Sequence, residues 1–219
     1  MSGLLQKAKF DDCVPKTLPS SEHVNRYWDK WLGKRAAKLT PGEFCLSSTN
    51  DLLVTVLGST TAVCFRDSQR SLMGMTHFML PTLGISSLDR KSRRLAEDYG
   101  HFAMTNVING FHSNGCVNGD IEAIIIGGAT TWPTRRSSSL ETVEFARSYL
   151  TDEGIRVTGE FVGPTLPRKV YFTDRDEMPY IRVLNEYSAT IKQREDAYLR
   201  RLLADWMLNK QGGSPTLVS

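Results

Sequence analysis

VTVLGSTTAVCFRDSQRSLMGMTHFMLP, residues 54–81, is the stretch on which the reading of this chain turns. Its apolar, β-branched opening belongs to a run that begins at Leu52 and breaks at Gly58-Ser59. A second run resumes at Thr61 and reaches Phe65. Short apolar runs on either side of a Gly-Ser break read as strand, tight turn, strand. A small residue at the exit of such a turn, here Thr60, is well placed to present a nucleophile, and a histidine from the next strand, His77, could serve as its base.

Downstream, helices and strands interleave without strict alternation. Leu95, Tyr99, Phe102, Ala103, Val107 and Phe111 recur at helical spacing, with Gly115 just past the end. Ile121 to Ile126 is an aliphatic run interrupted only by Glu122 and closed by Gly127-Gly128, which suits a strand buried on both faces. Leu140, Val143, Ala146, Tyr149 and Leu150 predict a second helix stopped near Gly154. Further strands follow at 155–162, 169–172 and 180–184. Ile191, Tyr198, Leu202, Leu203 and Trp206 then form one apolar stripe on a last helix, with Lys192, Arg194, Arg200, Arg201 and Lys210 mostly off it. Docking of that helix on the body is favoured over a partner-binding or membrane-surface role.

Upstream, 22–39 contains Tyr27, Trp28, Trp31 and Leu32 and reads as a short amphipathic helix. The organisation expected is a variable arm with a short helix over 1–40, one α/β domain over 41–186, a C-terminal helix over 187–210 and a disordered tail over 211–219. A chain of 219 residues is long enough for a continuous core. Its net charge of +3 is spread among acidic residues, so no nucleic-acid footprint stands out. Cys13, Cys45, Cys64 and Cys116 are widely spaced, without a C-x-x-C pair or a preceding secretory segment, which fits free thiols in a cytoplasm. No apolar run approaches the roughly 20 residues of a membrane span, so no membrane insertion is expected. His23, His101 and His112 lack metal-ligand spacing, so neither a metal nor another cofactor is expected.

The motifs taken together are more specific. Leu57-Gly58-Ser59-Thr60, Cys64-Phe65-Arg66-Asp67 and Gly74-Met75-Thr76-His77-Phe78-Met79-Leu80-Pro81 follow one another. Tyr99-Gly100 with Ala103-Met104, Gly127-Gly128-Ala129 and Pro167-Arg168-Lys169-Val170-Tyr171-Phe172 come later in the same order. Pro41-Gly42-Glu43-Phe44 lies upstream, and Arg194-Glu195 with Tyr198 downstream. Over roughly residues 25–200 this resembles the CheD family of bacterial chemoreceptor glutamine deamidases. The resemblance implies an α/β layered sandwich, β-sheets packed together with helices on one side. It also implies hydrolysis of glutamine side-chain amides in the cytoplasmic domains of methyl-accepting chemoreceptors, and binding of a CheC-like phosphatase by some members.

The family uses a cysteine, a histidine and a supporting threonine. The cysteine maps to Thr60 and the histidine to His77. The threonine maps to Val54 without gaps, while the adjacent Thr55 fills the role if the strand register differs; neighbours in a strand face opposite ways. Gly58, Ser59, Gly127 and Gly128 are candidates for the substrate groove. Two rim segments also depart from the family, Ser139-Leu140-Glu141-Thr142 and Phe161-Val162-Gly163-Pro164. A threonine alcohol is far less acidic than a thiol near pKa 8.5 and is more hindered, so the expectation is a CheD-type protein that binds its partners with deamidation weak or lost. The alternatives are an active deamidase using Thr60, or Cys64, with His77, and an interaction module that uses its C-terminal helix. Cys64 is expected as buried filler.

Overall fold

The computed structural model describes residues 24–48, 51–67, 69–80, 90–127, 129, 136–163, 166–173, 175–185 and 188–210; for 90–96, 136–138 and 205–210 only the backbone is described. The amino-terminal residues 1–23, the tail after 210, Gly128 and the rim residues Pro164 and Thr165 lie outside this set. In chain order the strands are β1 (Asn25–Asp29), β2 (Lys34–Leu39), β3 (Phe44–Ser47), β4 (Leu52–Leu57), β5 (Thr61–Asp67), β6 (Leu72–Phe78), β7 (Glu122–Gly127), β8 (Arg156–Val162), β9 (Arg168–Phe172) and β10 (Tyr180–Val183). Helix α1 (Arg90–Ser113) precedes β7, α2 (Arg136–Asp152) follows it, and α3 (Ala189–Lys210) ends the described chain.

The strands form two five-stranded sheets, ordered β1-β2-β4-β9-β10 and β3-β6-β5-β7-β8. Two-residue periodicity assigns their faces. Leu53 and Leu57 of β4 meet Ala62 and Cys64 of β5, Met73 and Met75 of β6, and Ile124 and Ile126 of β7 in the core between the sheets. The opposite face of the second sheet, with Val63, Phe65, Phe78, Ala123 and Ile125, packs on Met104, Val107 and Phe111 of α1 and on Val143, Ala146 and Leu150 of α2. The result is a layered α/β sandwich with α1 and α2 on one side, as the resemblance implied. Phe102 and Leu140, counted above among the helix stripes, remain exposed.

The segment 22–39 corrects one expectation. Instead of a helix it contains β1 and β2, an antiparallel pair in which Asn25 lies opposite Lys38 and Asp29 opposite Lys34, and β2 continues parallel to β4. The turn is made by Asp29, whose Oδ1 accepts from the amides of Trp31 and Leu32, each at 3.0 Å. Ala36, Ala37 and Leu39 gain burial in a sheet that an isolated helix here could not supply. Residues 25–39 therefore belong to the body, and the buried Asp51 anchors them by accepting from Arg26 at 3.2 Å and Arg35 at 2.7 Å.

Asp67 plays the matching role at the end of β5. Its Oδ1 accepts from the amides of Gln69 and Arg70 at 2.9 and 3.1 Å, and its Oδ2 from the Arg70 guanidinium at 2.7 Å. Burial alone would raise this carboxyl, but bonds from Cys116 and Arg70 outweigh it and hold it below the usual carboxylate range. Asp67→Ala should cost about 2 kcal/mol, because two turn amides and the Arg70 guanidinium lose the buried acceptor that holds the turn. Urea unfolding checks this, and an unchanged midpoint would show that the hairpin does not depend on Asp67.

Candidate functional site

β4 and β5 are consecutive in sequence yet lie in different sheets, so Gly58-Ser59-Thr60 is a crossing between layers at one end of the sandwich. Thr55 lies on β4 in the same alternation as Leu53 and Leu57, facing the other sheet. His77 lies on β6 in register with Met73 and Met75, facing back. Their side chains meet: Thr55 Oγ1 is 2.8 Å from His77 Nδ1, and His77 Nε2 is 2.7 Å from Thr60 Oγ1. Val54, the ungapped position for the supporting threonine, faces outward with Ala36, Leu52 and Tyr171 and takes no part.

The proton directions follow from the partners. Thr55 gives its hydroxyl proton to the Leu39 carbonyl at 3.0 Å, so it can only accept from the imidazole. Nδ1 therefore carries the ring proton and Nε2 turns a lone pair toward Thr60. Burial pushes His77 down to about 4, against the opposing pull of the nearby Glu195 charge, so the ring is neutral around pH 7. A neutral, oriented imidazole against a hydroxyl is the layout of a nucleophile and its general base.

Glu195 of α3 completes the site; from sequence it stood only within the Arg194-Glu195 and Tyr198 motif, with no role in the site. Its Oε1 accepts from the Gly58 amide at 2.8 Å and the Thr60 hydroxyl at 3.0 Å, and its Oε2 from the Ser59 amide at 3.0 Å and the Ser59 hydroxyl at 2.7 Å. The helix that brings it is capped at Ser188, whose carbonyl accepts from the amides of Ile191 and Lys192. Ile191, Glu195, Tyr198, Leu199 and Leu202 form its buried face. An acidic residue inside an apolar stripe was the available signal, since a lone buried carboxylate is costly and needs polar partners.

The surroundings hold the turn closely. Ser139 Oγ of α2 donates to the Ser59 carbonyl at 3.0 Å, and Thr142 Oγ1 accepts from the Leu80 amide at 3.1 Å, so the departure at 139–142 bears directly on the site. Gly127, the described member of the Gly-Gly pair, lies opposite Thr61 with φ +128°, and a Cβ there would come within 2.4 Å of the Thr60 carbonyl oxygen. Gly127→Ala should therefore push the Thr60 turn out of line and cost about 2 kcal/mol. Thermal unfolding checks the cost, and an unperturbed His77 NMR signal in that variant would argue against the displacement. Cys64 points into the core between the sheets beside Met75, its thiol pushed well above the usual range by burial, and does not join the Thr60–His77 pair. Among the described residues no group of three or more His, Cys, Asp or Glu side chains could hold a metal ion.

A buried hydroxyl, imidazole and hydroxyl thus stand in line beside two main-chain amides at one end of the sandwich. This chain belongs to the CheD family. The family profile described as CheD chemotactic sensory transduction matches residues 79–182. A probable chemoreceptor glutamine deamidase CheD from Halorhodospira halophila is 35% identical over 192 residues, covering 86% of this chain and 89% of that protein. Relatives of the same description from Methylobacillus flagellatus and Hahella chejuensis are 36% and 34% identical, covering 83% and 86% of this chain and 91% and 89% of their own.

Proposed function

We propose that this is a CheD-type chemotaxis protein that binds the cytoplasmic domains of methyl-accepting chemoreceptors, with glutamine deamidation weak or lost. The observation that carries the reading is the 2.7 Å contact of His77 Nε2 with an alcohol, Thr60 Oγ1, in an otherwise complete arrangement. A secondary alcohol is far less acidic and more hindered than a thiol, so Thr60 is much harder for His77 to activate than a cysteine in the same place. A CheC-like phosphatase is a further partner of this reading, and the cytoplasm its location. Among the described residues no helix is long and apolar enough to cross a membrane. The test incubates the purified chain with a receptor cytoplasmic fragment and follows mass and binding. Binding without prompt glutamine-to-glutamate conversion is expected, and rapid conversion would overturn the loss of activity.

The same contact supports a second reading, an active deamidase in which Thr60 attacks and His77 takes its proton. In that case Thr60→Val abolishes the measured conversion. Conversion insensitive to Thr60→Val removes Thr60 as the nucleophile.

A further inference from the structure

We propose that Glu195 is an intramolecular ligand of the site: α3 delivers a glutamyl carboxylate in cis to the pocket that a partner's glutaminyl or glutamyl side chain would enter, and the site opens only when α3 leaves. The inference rests on the reading that the pocket accepts such side chains. Two main-chain amides converging beside a nucleophile's position form an anion-stabilising pocket, and both point at the Glu195 carboxylate. A glutamate side chain is also chemically the product of glutamine deamidation, so the occupant matches the reaction as well as the pocket.

Occupancy has two consequences. Thr60 has one hydroxyl proton and two acceptors within reach, His77 Nε2 at 2.7 Å and Glu195 Oε1 at 3.0 Å, so the carboxylate competes with the base for that proton. Ser59, Thr60, His77 and Glu195 are each no more than 1% exposed. The gap left between α3 and the loop after β2, lined by Leu39, Pro41, Val56, His77 and Ile191, measures about 10 Å³. That is room for one water and far too little for a side-chain amide.

The helix is also held by contacts away from the pocket. Tyr198, Leu199 and Leu202 pack on Met79, and the Tyr198 ring fills the space over Gly42, where a Cβ would come within 2.5 Å of it. The latch and the plug are therefore separable by mutation. Arg194, beside Glu195, is exposed, as are Gln193 and Arg200, so a partner approaching the outer face of α3 meets a polar, basic surface.

The test uses Thr60→Cys in the full chain as a reporter and measures its alkylation by iodoacetamide as a function of pH. Adding Glu195→Ala should raise the plateau rate at high pH by about tenfold or more, because a sealed thiol reacts only through openings of the helix. Adding Tyr198→Ala, which weakens the latch without touching the pocket, should raise it in the same way and guards against a fold defect specific to Glu195. A change confined to the apparent pKa, with the plateaus of both variants less than tenfold above the reporter's, would show a charge effect only and overturn the proposal. No receptor is used, so failure of receptor binding leaves this result standing, and an unchanged plateau leaves the receptor reading intact.

Discussion

Thr60→Cys should raise deamidation of a receptor cytoplasmic fragment by on the order of 100-fold or more over the native chain, the scale of a general base regaining a nucleophile it can activate. The geometry is in place. Thr60 Oγ1 lies 2.7 Å from His77 Nε2, and the ring is oriented from behind by Thr55 at 2.8 Å. A cysteine keeps the β-carbon, drops the methyl that hinders attack, and supplies a proton with a pKa near 8.5 in place of an alcohol's. The Gly58 and Ser59 amides would then face the oxygen of the scissile amide, provided Glu195 is not sitting on them. The full gain is accordingly expected in the Thr60→Cys, Glu195→Ala double variant, with a smaller one in the single variant. Mass spectrometry of the receptor fragment reads both, and a double variant no faster than the native chain would mean that the site is not aligned for this chemistry.

The second large effect concerns stability against pH. His77 titrates at about 4 in the folded chain against an ordinary value of 6.5, because burial disfavours the charged ring more than Glu195 favours it. Between those values the unfolded chain binds a proton that the folded chain refuses. Stability therefore rises with pH across this window: the contribution is complete above about pH 6.5 and is lost progressively as the pH falls toward about 4. The difference corresponds to about 3 kcal/mol. Urea unfolding compared at neutral pH and near pH 4 should show that loss in the native chain, beyond whatever the carboxylates contribute. His77→Gln, which has no proton to gain, should lose about 3 kcal/mol less over the same range. Parallel profiles for the two proteins would show that the ring is not buried neutral.

Much of the architecture was legible because it repeats locally. The aliphatic run at 123–126, the Gly-Ser break at 58–59 and the helical spacing from Leu95 to Phe111 each announce their element within a few residues. The segment 22–39 was misread for the converse reason. Its aromatics at Tyr27, Trp28 and Trp31 fit a helix stripe as well as a strand, and what decides between them is β4, a distant segment along which β2 pairs. Residue by residue the site shows the same division. Gly58, Ser59, Thr60 and His77 stand in recognisable motifs, whereas the choice between Val54 and Thr55 depends on which face of β4 turns toward β6.

By itself the sequence determined the family, the order of most elements and the threonine that follows the Gly58-Ser59 turn, since these are written in contiguous motifs. Tertiary structure alone decided that the turn after β4 crosses between sheets, that Thr55 rather than Val54 backs His77, and that Glu195 lies on the Ser59 and Thr60 hydroxyls from 136 and 135 residues away. The physical reason is that strand faces and buried polar contacts are set by packing between distant segments. A carboxylate in an apolar stripe signals that it needs partners, but only the folded chain shows where they are.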